Sequence, residues 1–492
     1  MSTFRFAVLA VLWVFAPHTQ AATLTVNDAG DAGPGNCPST CTLRAAISAS
    51  ESGGTIAFAP GLASPITLSQ GALVLDKALT IQGPGAAKLT VSANNTSQVL
   101  IVSAQASISG LTLADGYIIG TAGSNGAGGT SGSPGVPGGP GDPGGPGGLA
   151  GGACVQVANS GALVLDHVAV RHCIAYGGSG GNGGNGGAGN LNPMDPPLSA
   201  GGAGGNSGAG GDATGGAILV YGTLSLLNCS VVDGHAYGGA GGAGAAGGIG
   251  SVGGNFVFGA SGVSGTGGAA NGGAVFVAAG SLRITNSTIA GSSGTGGAGG
   301  AGVTSTQDVT FGGAGGAASG GLIRVDASAV LADLEFSTFA GGQVAGGSGG
   351  SGAGPPLMGP TGMPSGNAIS AGIAITALSS VIVDVQPDVS LCDGLLTAAS
   401  GSVNLDEDSS CSDFTLHAAF AELFHPLDVN TTPWPGYLPL YGSVVIDAAA
   451  TCQDLAAQTV SVDQHDTPRP QGANCDLGAI EADYIFVDGF DG

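Results

Sequence analysis

The chain has 492 residues and a formal net charge of −24, and its 8 Lys and Arg residues supply no basic stripe for a nucleic-acid backbone or an anionic lipid surface. The same acidity opposes polyanionic substrates such as pectate. Glycine contributes 99 residues and charged residues only 8%, as in a disordered linker, yet 43% of the chain is hydrophobic and gathers in short runs that can bury a core.

Residues 1–21 read as a secretory signal peptide, with Arg5 as the basic start, Phe6 to Ala16 as the apolar stretch and Thr19-Gln20-Ala21 as a cleavage site. The stretch is short for a membrane span, and no later one approaches that length, so the expectation is an exported protein with no integral membrane segment after the leader. Nine cysteines fit an oxidising compartment. Cys37 with Cys41, Cys392 with Cys411 and Cys452 with Cys475 are the disulfide candidates, each pair bracketing a turn or loop. Cys154, Cys173 and Cys229 read as buried small hydrophobes. When the coils are aligned on Gly161 and Gly222, Cys173 and Cys229 are offset by about 16 Å along a strand, and no CxxC or spaced His pair suggests a metal.

After the leader, Leu24-Thr25-Val26 is a first strand, and Cys41 to Ala49 is a short helix with Thr40 or Thr42 as N-cap and Leu43, Ala46 and Ile47 on one apolar face. Such a helix suits the exposed end of a solenoid, which needs a plug. Cys37, Cys41, Thr42, Leu43, Arg44, Ala46 and Ile47 resemble the CSLREA motif of large exported bacterial surface proteins, with Ala45 where that family has Glu. The resemblance implies an N-terminal cap, residues 22–60, ahead of a right-handed β-helix.

From Gly151 to about Gly354 one pattern recurs: a Gly-Gly pair, a short apolar run, a turn, a second apolar run and a glycine-rich spacer. The first runs include Val155-Gln156-Val157, Ile218-Leu219-Val220, Val275-Phe276-Val277 and Ile323-Arg324-Val325. The second include Leu163-Val164-Leu165, Leu224-Ser225-Leu226 and Leu282-Arg283-Ile284. Short β-rich runs that cannot bury both faces alone, separated by long excursions, predict an all-β chain, a parallel β-helix over 61–391. In the spacers glycine falls on every third residue from Gly123 to Gly147 and again from Gly177 to Gly189. That period matches polyproline II. Loose linkers, rods packed side by side within one chain and triple helices between chains are the three readings. Spacers leaving equivalent points of successive coils favour packed rods.

Beyond Gly354 the repeat decays, and residues 392–483 read as a separate C-terminal module followed by a tail, 484–492. Ile446-Asp447-Ala448, then Asp463-Gln464 with Pro468-Arg469-Pro470, then Cys475-Asp476-Leu477-Gly478-Ala479-Ile480-Glu481 resemble the choice-of-anchor Q module. Arg469 is expected to bridge Asp463, Asp476 or Glu481 in a structural charge network. In that family a surface-anchoring signal usually follows, and the tail shows no apolar helix or basic stop.

Aligning coils places Arg171-His172 and Tyr176 beside Asp233, His235 and Tyr237. His172, Asp233 and His235 are the catalytic candidates, since a carboxylate with histidines can move protons. Sugar hydrolysis generally needs two carboxylates, and only Asp166 offers itself as a second. A polar strand edge is the simpler reading. The spacers lack the regular Asp of calcium-binding repeats and the Lys of phosphate loops, so no metal or cofactor is expected. The expected function is a non-enzymatic exported surface or matrix protein, adhesin-like, binding extracellular glycans or cell-surface components and not nucleic acid. The alternative is a polysaccharide hydrolase or lyase.

Overall fold

The computed structural model describes residues 22–33, 37, 39–192, 194, 196–303, 310–352, 357–384, 389–427 and 434–482. The leader and the tail 484–492 lie outside them. Among the described residues almost every regular element is a short strand, stacked parallel on the strand one coil away. A 10-stranded sheet starts at Thr23–Val26 and ends at Leu396–Ala398. An 8-stranded sheet runs between Leu73–Leu75 and Cys392–Asp393, and a 13-stranded sheet between Ile66–Thr67 and Leu416–His417. Each coil visits all three, as in Ile218–Val220, Thr223–Leu227 and Ser230–Tyr237. Crossovers between parallel strands take the right hand. The chain is a right-handed parallel β-helix.

Period-2 sequence becomes a dry interior because like residues stack in files. Ile56, Ile81, Ile108, Leu165, Leu226, Ile284 and Leu334 occupy one register position in successive coils, and none is more than 3% exposed. Val155, Ile218, Val275, Ile323 and Ile369 form a second file. With coils about 4.8 Å apart, each branched side chain nests on its neighbours. A sharp bend separates the 10- and 13-stranded sheets. There His167, Asn228, Asn286, Phe336 and Ser379 all have φ between +45° and +54°, a region Asn tolerates far better than bulky residues.

The helix α1 (Leu43–Ala49) plugs the first coil. Thr42 Oγ1 accepts from Ala45 N, and Leu43, Ala45, Ala46 and Ile47 are buried, so a Glu at position 45 would bury a charge. Arg44 holds the plug in place through both carboxylate oxygens of Asp31, at 2.8 and 3.2 Å, and donates to Ala72 O and Gly71 O. The solenoid exceeds the bounds 61–391 at both ends. Thr23–Val26 and Gly54–Phe58 are already rungs of the 10-stranded sheet, and Cys392–Asp393, Leu396–Ala398 and Leu405–Asp406 still are rungs. At the C-terminal end the strands are two or three residues long and carry too little alternation to be legible alone.

The glycine spacers are rods packed within the one chain. In the outbound rod 177–189, Gly180, Gly183 and Gly186 donate to Ala240 O, Ala243 O and Ala246 O of the next coil's outbound rod, while Gly181 and Gly184 donate to Gly145 O and Asp142 O of the previous coil's return rod. A Cβ on Gly183 would lie 2.0 Å from Gly205 O, and one on Gly184 would lie 1.9 Å from Ala127 O. Most of the two inward positions in each triplet are therefore glycine in an interior rod, and the exceptions, Ser207, Ala245, Ser261 and Ser264, are small. The third faces water, as Ser179, Asn182 and Asn185 do. Outbound and return rods form two layers, joined to the β-helix through a neck of Ala150, Ala175, Ala213, Ala236, Ala270 and Ala318.

The C-terminal region is a strap laid along the bend, touching one coil after another. Asp466 meets His167 at 3.0 Å, Trp434 Nε1 donates to Asn228 O at 2.9 Å, and Asn286 Nδ2 donates to Val462 O at 2.8 Å. Further along, Leu455 N donates to Glu335 Oε2, Ala479 N to Thr338 Oγ1 and Gly478 N to Ser379 O. At the bend the Asn228 side-chain amide donates to Asp166, and that of Asn286 donates to the strap.

Disulfides join Cys37–Cys41, Cys392–Cys411 and Cys452–Cys475, and a fourth joins Cys154–Cys173. This fourth bridge corrects the reading of Cys154 and Cys173 as mere hydrophobes. The alignment compared Cys173 with Cys229 across coils, whereas the bridge crosses the interior of a single coil between two sheets. Cys229 is a buried free thiol. Four disulfides indicate folding in an oxidising compartment. Among the described residues no helix is long and apolar enough to cross a membrane.

Candidate functional site

Past the bend that carries the strap, the 13-stranded sheet turns once more and presents a bare outer face. The second turn is made by Asp115, His172 and Asp233, all with φ between +54° and +57°, then by Gly291 and Gly341. A left-handed residue there pushes its side chain outward, so the three polar groups form one file on successive coils. His172 Nδ1 lies 3.4 Å from Asp115 Oδ1, and its Nε2 lies 3.8 Å from Asp233 Oδ2. Two residues along the strand, Tyr117, Ile174, His235, Ser293 and Gln343 form the next file. Ile119, Tyr176, Tyr237, Thr295 and Ala345 form the one after it.

The candidates His172, Asp233 and His235 do come together, and Asp115 and Ser293 complete the group. His235 Nε2 lies 2.8 Å from Asp233 Oδ1, and its Nδ1 lies 2.8 Å from Ser293 Oγ. The carboxylate accepts from Nε2–H, which leaves Nδ1 to accept the hydroxyl proton. The hydrogen bond from His235 holds Asp233 below the usual carboxylate range against partial burial. That is the wrong direction for a proton-donating acid. The serine–histidine–aspartate line also lacks an oxyanion pocket, because Ser293 and Gly294 are paired on both sides in the sheet and their backbone groups serve its ladders. Among the described residues no group of three His, Cys, Asp or Glu could hold a metal ion.

Three tyrosines border the polar file. Tyr176 and Tyr237 stack with ring centroids 4.7 Å apart, and Tyr117 tilts against Tyr176 at 5.8 Å. Mutual burial raises the Tyr176 phenol above its ordinary value. The face is open. The side chains of His172 and Asp233 are 49% and 48% exposed, so the file is not covered by the glycine layer. At one end the face dips into a depression of about 200 Å³ lined by Ser293, Thr295, Gln343 and Asn367. At the other side Tyr176 runs straight into Gly177 of the outbound rod, and the sheet face continues as the rod face.

Arg469 and Glu481 pair in the interior of the C-terminal region. Arg469 Nη1 donates to Glu481 Oε2 at 3.0 Å and to Asp476 O, and Nη2 donates to Gly478 O, all fully buried. Burial pulls the Arg469 guanidinium down from its ordinary value, and Glu481, Asp463 and Asp476 oppose that. Asp463 and Asp476 make no direct ion pair with it. Asp463 accepts from His465 N, Thr467 N and Glu481 N, and Asp476 accepts from Asp447 N and Ala482 N. Burial pushes the Asp476 carboxyl up to about 6.

Asp166 belongs to a different place. With His167, Lys88, Trp434 and Asp466 it lines a cleft of about 600 Å³ between the first coils and the strap. Asp115 could have been found in the sequence, since Asp115-Gly116-Tyr117 echoes Asp233-Gly234-His235.

No family model matches the sequence, and no curated protein matches it. Among solved structures the chain is similar to the crystal structure of pectate lyase Pel9A, at 12% identity and a TM-score of 0.32, over 94% of this chain and 96% of that one.

Proposed function

We propose that the chain is an exported, non-enzymatic surface or matrix protein that adheres to extracellular glycan through one continuous face. The observation that carries this is the open sheet with stacked Tyr117, Tyr176 and Tyr237 beside the Asp115–His172–Asp233–His235 line. Aromatic rings offer a flat apolar platform to the C–H face of a sugar, and carboxylate and imidazole groups beside it accept and donate to hydroxyls. Because the rows repeat about every 4.8 Å from coil to coil, the face suits an extended polymer better than a single small molecule. The test is co-sedimentation of the leaderless chain with insoluble polysaccharides, together with a glycan array. Tyr176→Ala with Tyr237→Ala should weaken binding about tenfold or more, since each ring contributes on the order of 1 kcal/mol. Equal binding by the double variant would overturn the proposal.

A second reading, polysaccharide cleavage, is favoured by one observation. Asp115 and Asp233 flank His172 two coils apart, about 9.6 Å, near the carboxylate spacing of inverting glycosidases. Reducing ends released by the wild-type chain and abolished in Asp233→Ala would carry this reading. Binding without product release would carry the first.

A further inference from the structure

The two faces of the glycine bundle differ in chemistry. The outward residues of the outbound rods are small and often polar, among them Asn125, Ser179, Asn182 and Asn185. The return rods 138–149, 200–212, 257–269, 311–317 and 357–363 lie side by side, and their outward rows are mainly apolar, with Asn206 and Thr266 as the uncharged polar exceptions. Pro143, Pro146, Leu149, Val263, Phe311 and Met363 stand on this back face, and the last four are 71%, 65%, 61% and 79% exposed. The only charged residues in these rods are Asp142 and Asp212, in a chain of net charge −24. Asp212 is already engaged, with its Oδ1 accepting from Ala269 N at 2.7 Å.

We propose that this back face is where two copies of the chain pair, back to back. The rods span about 24 Å across five coils at 4.8 Å each and between about 19 and 37 Å along their length at 3.1 Å per residue. The resulting patch is on the order of 700–800 Å², close to the roughly 800 Å² per partner of a stable interface and well beyond what a monomer usually leaves bare. It is flat, so it complements its own copy, and an isologous pair closes without leaving a second patch exposed. The backbone is already fixed by rod-to-rod hydrogen bonds, as between Gly204 N and Ala260 O and between Gly210 N and Thr266 O. Little ordering entropy therefore opposes association. A copy of this same chain is favoured as occupant because both partners bring the exposed apolar row of Leu149, Val263, Phe311 and Met363 with almost no charge to desolvate. The pair would present its two tyrosine faces on opposite sides.

Sedimentation equilibrium of the leaderless chain between about 1 and 100 µM tests the proposal. A dimer that tightens with added salt is expected, since screening removes the repulsion of two acidic bodies while the apolar contact persists. Val263→Lys with Phe311→Lys should raise the dimer Kd at least about tenfold through an unpaired buried charge, with unchanged circular dichroism. Asn182→Lys on the opposite face should leave the Kd unchanged. A monomer throughout the range, a dimer indifferent to the back-face lysines, or binding to phosphatidylcholine vesicles without dimer would each overturn the proposal. Polysaccharide binding per chain is read separately. Its loss in the tyrosine double variant with the dimer intact concerns the glycan face alone.

Discussion

His167 is where a single proton reports on the strap. Its ring sits between Asp166 at 2.7 Å and Asp466 at 3.0 Å. The hydrogen bond to Asp166 chiefly raises its pKa to about 9, with burial opposing and Asp466 assisting. A histidine whose folded value lies above its unfolded value stabilises the fold fully below about 6.5, and that contribution is lost as pH rises through about 9. The side chain is 29% exposed, so solvent screening leaves the effect modest. Trp434 lies 5.1 Å from this ring and is the only tryptophan once residues 1–21 are removed. The fluorescence of the leaderless chain should therefore titrate with a midpoint near 9, and His167→Gln should abolish the transition. A flat profile in the wild type would show that the imidazole does not bridge the two carboxylates. Cys229 gives a complementary probe. Burial pushes its thiol up to about 12, so a maleimide at neutral pH should label it only when its coil opens.

At the scale of the element, the rods show what the sequence discloses and what it withholds. Strict three-residue phase implied polyproline II geometry, and departure from equivalent coil positions implied packing side by side. The text also distinguished edge from interior, a signal that needs the neighbours to be read. The edge rod 120–132 keeps mostly one glycine per triplet, while 177–189 keeps two because it has rods on more sides. Cys154–Cys173 stayed hidden for the converse reason, since two cysteines on different sheets of one coil share no register position. Asp115 stayed hidden because its coil precedes the clear repeats. Gly184→Ala should lower thermal stability by at least about 1–3 kcal/mol, since a Cβ 1.9 Å from Ala127 O forces two backbones apart. Exposed Ser179→Ala, in the same rod, should stay within about 0.5 kcal/mol. Calorimetry on the pair separates packed rods from loose linkers, in which the two substitutions would be equally mild.

At the scale of the whole molecule, the strap makes the number of coils matter. A solenoid alone has only nearest-neighbour contacts, so removing one complete coil should cost one interface and leave the rest folded. Deleting 222–279 joins Tyr221 to Gly280, and the interior files survive because Leu163 then stacks on Leu282 where it had stacked on Leu224. The strap cannot shorten with it. Asn228 goes with the deleted coil, and the contacts at Asn286, Thr288, Glu335, Thr338 and Ser379 outnumber the one left at His167, so they keep the register and leave the Trp434–Asp466 end about 4.8 Å out of step. His167 then loses Asp466 as a partner. The shortened chain should keep its sheet dichroism and a cooperative thermal transition, while the fluorescence titration moves down from about 9. An unchanged titration midpoint would mean that the strap follows the coils without measuring them. Loss of all sheet signal would mean that the coils do not share one interchangeable interior.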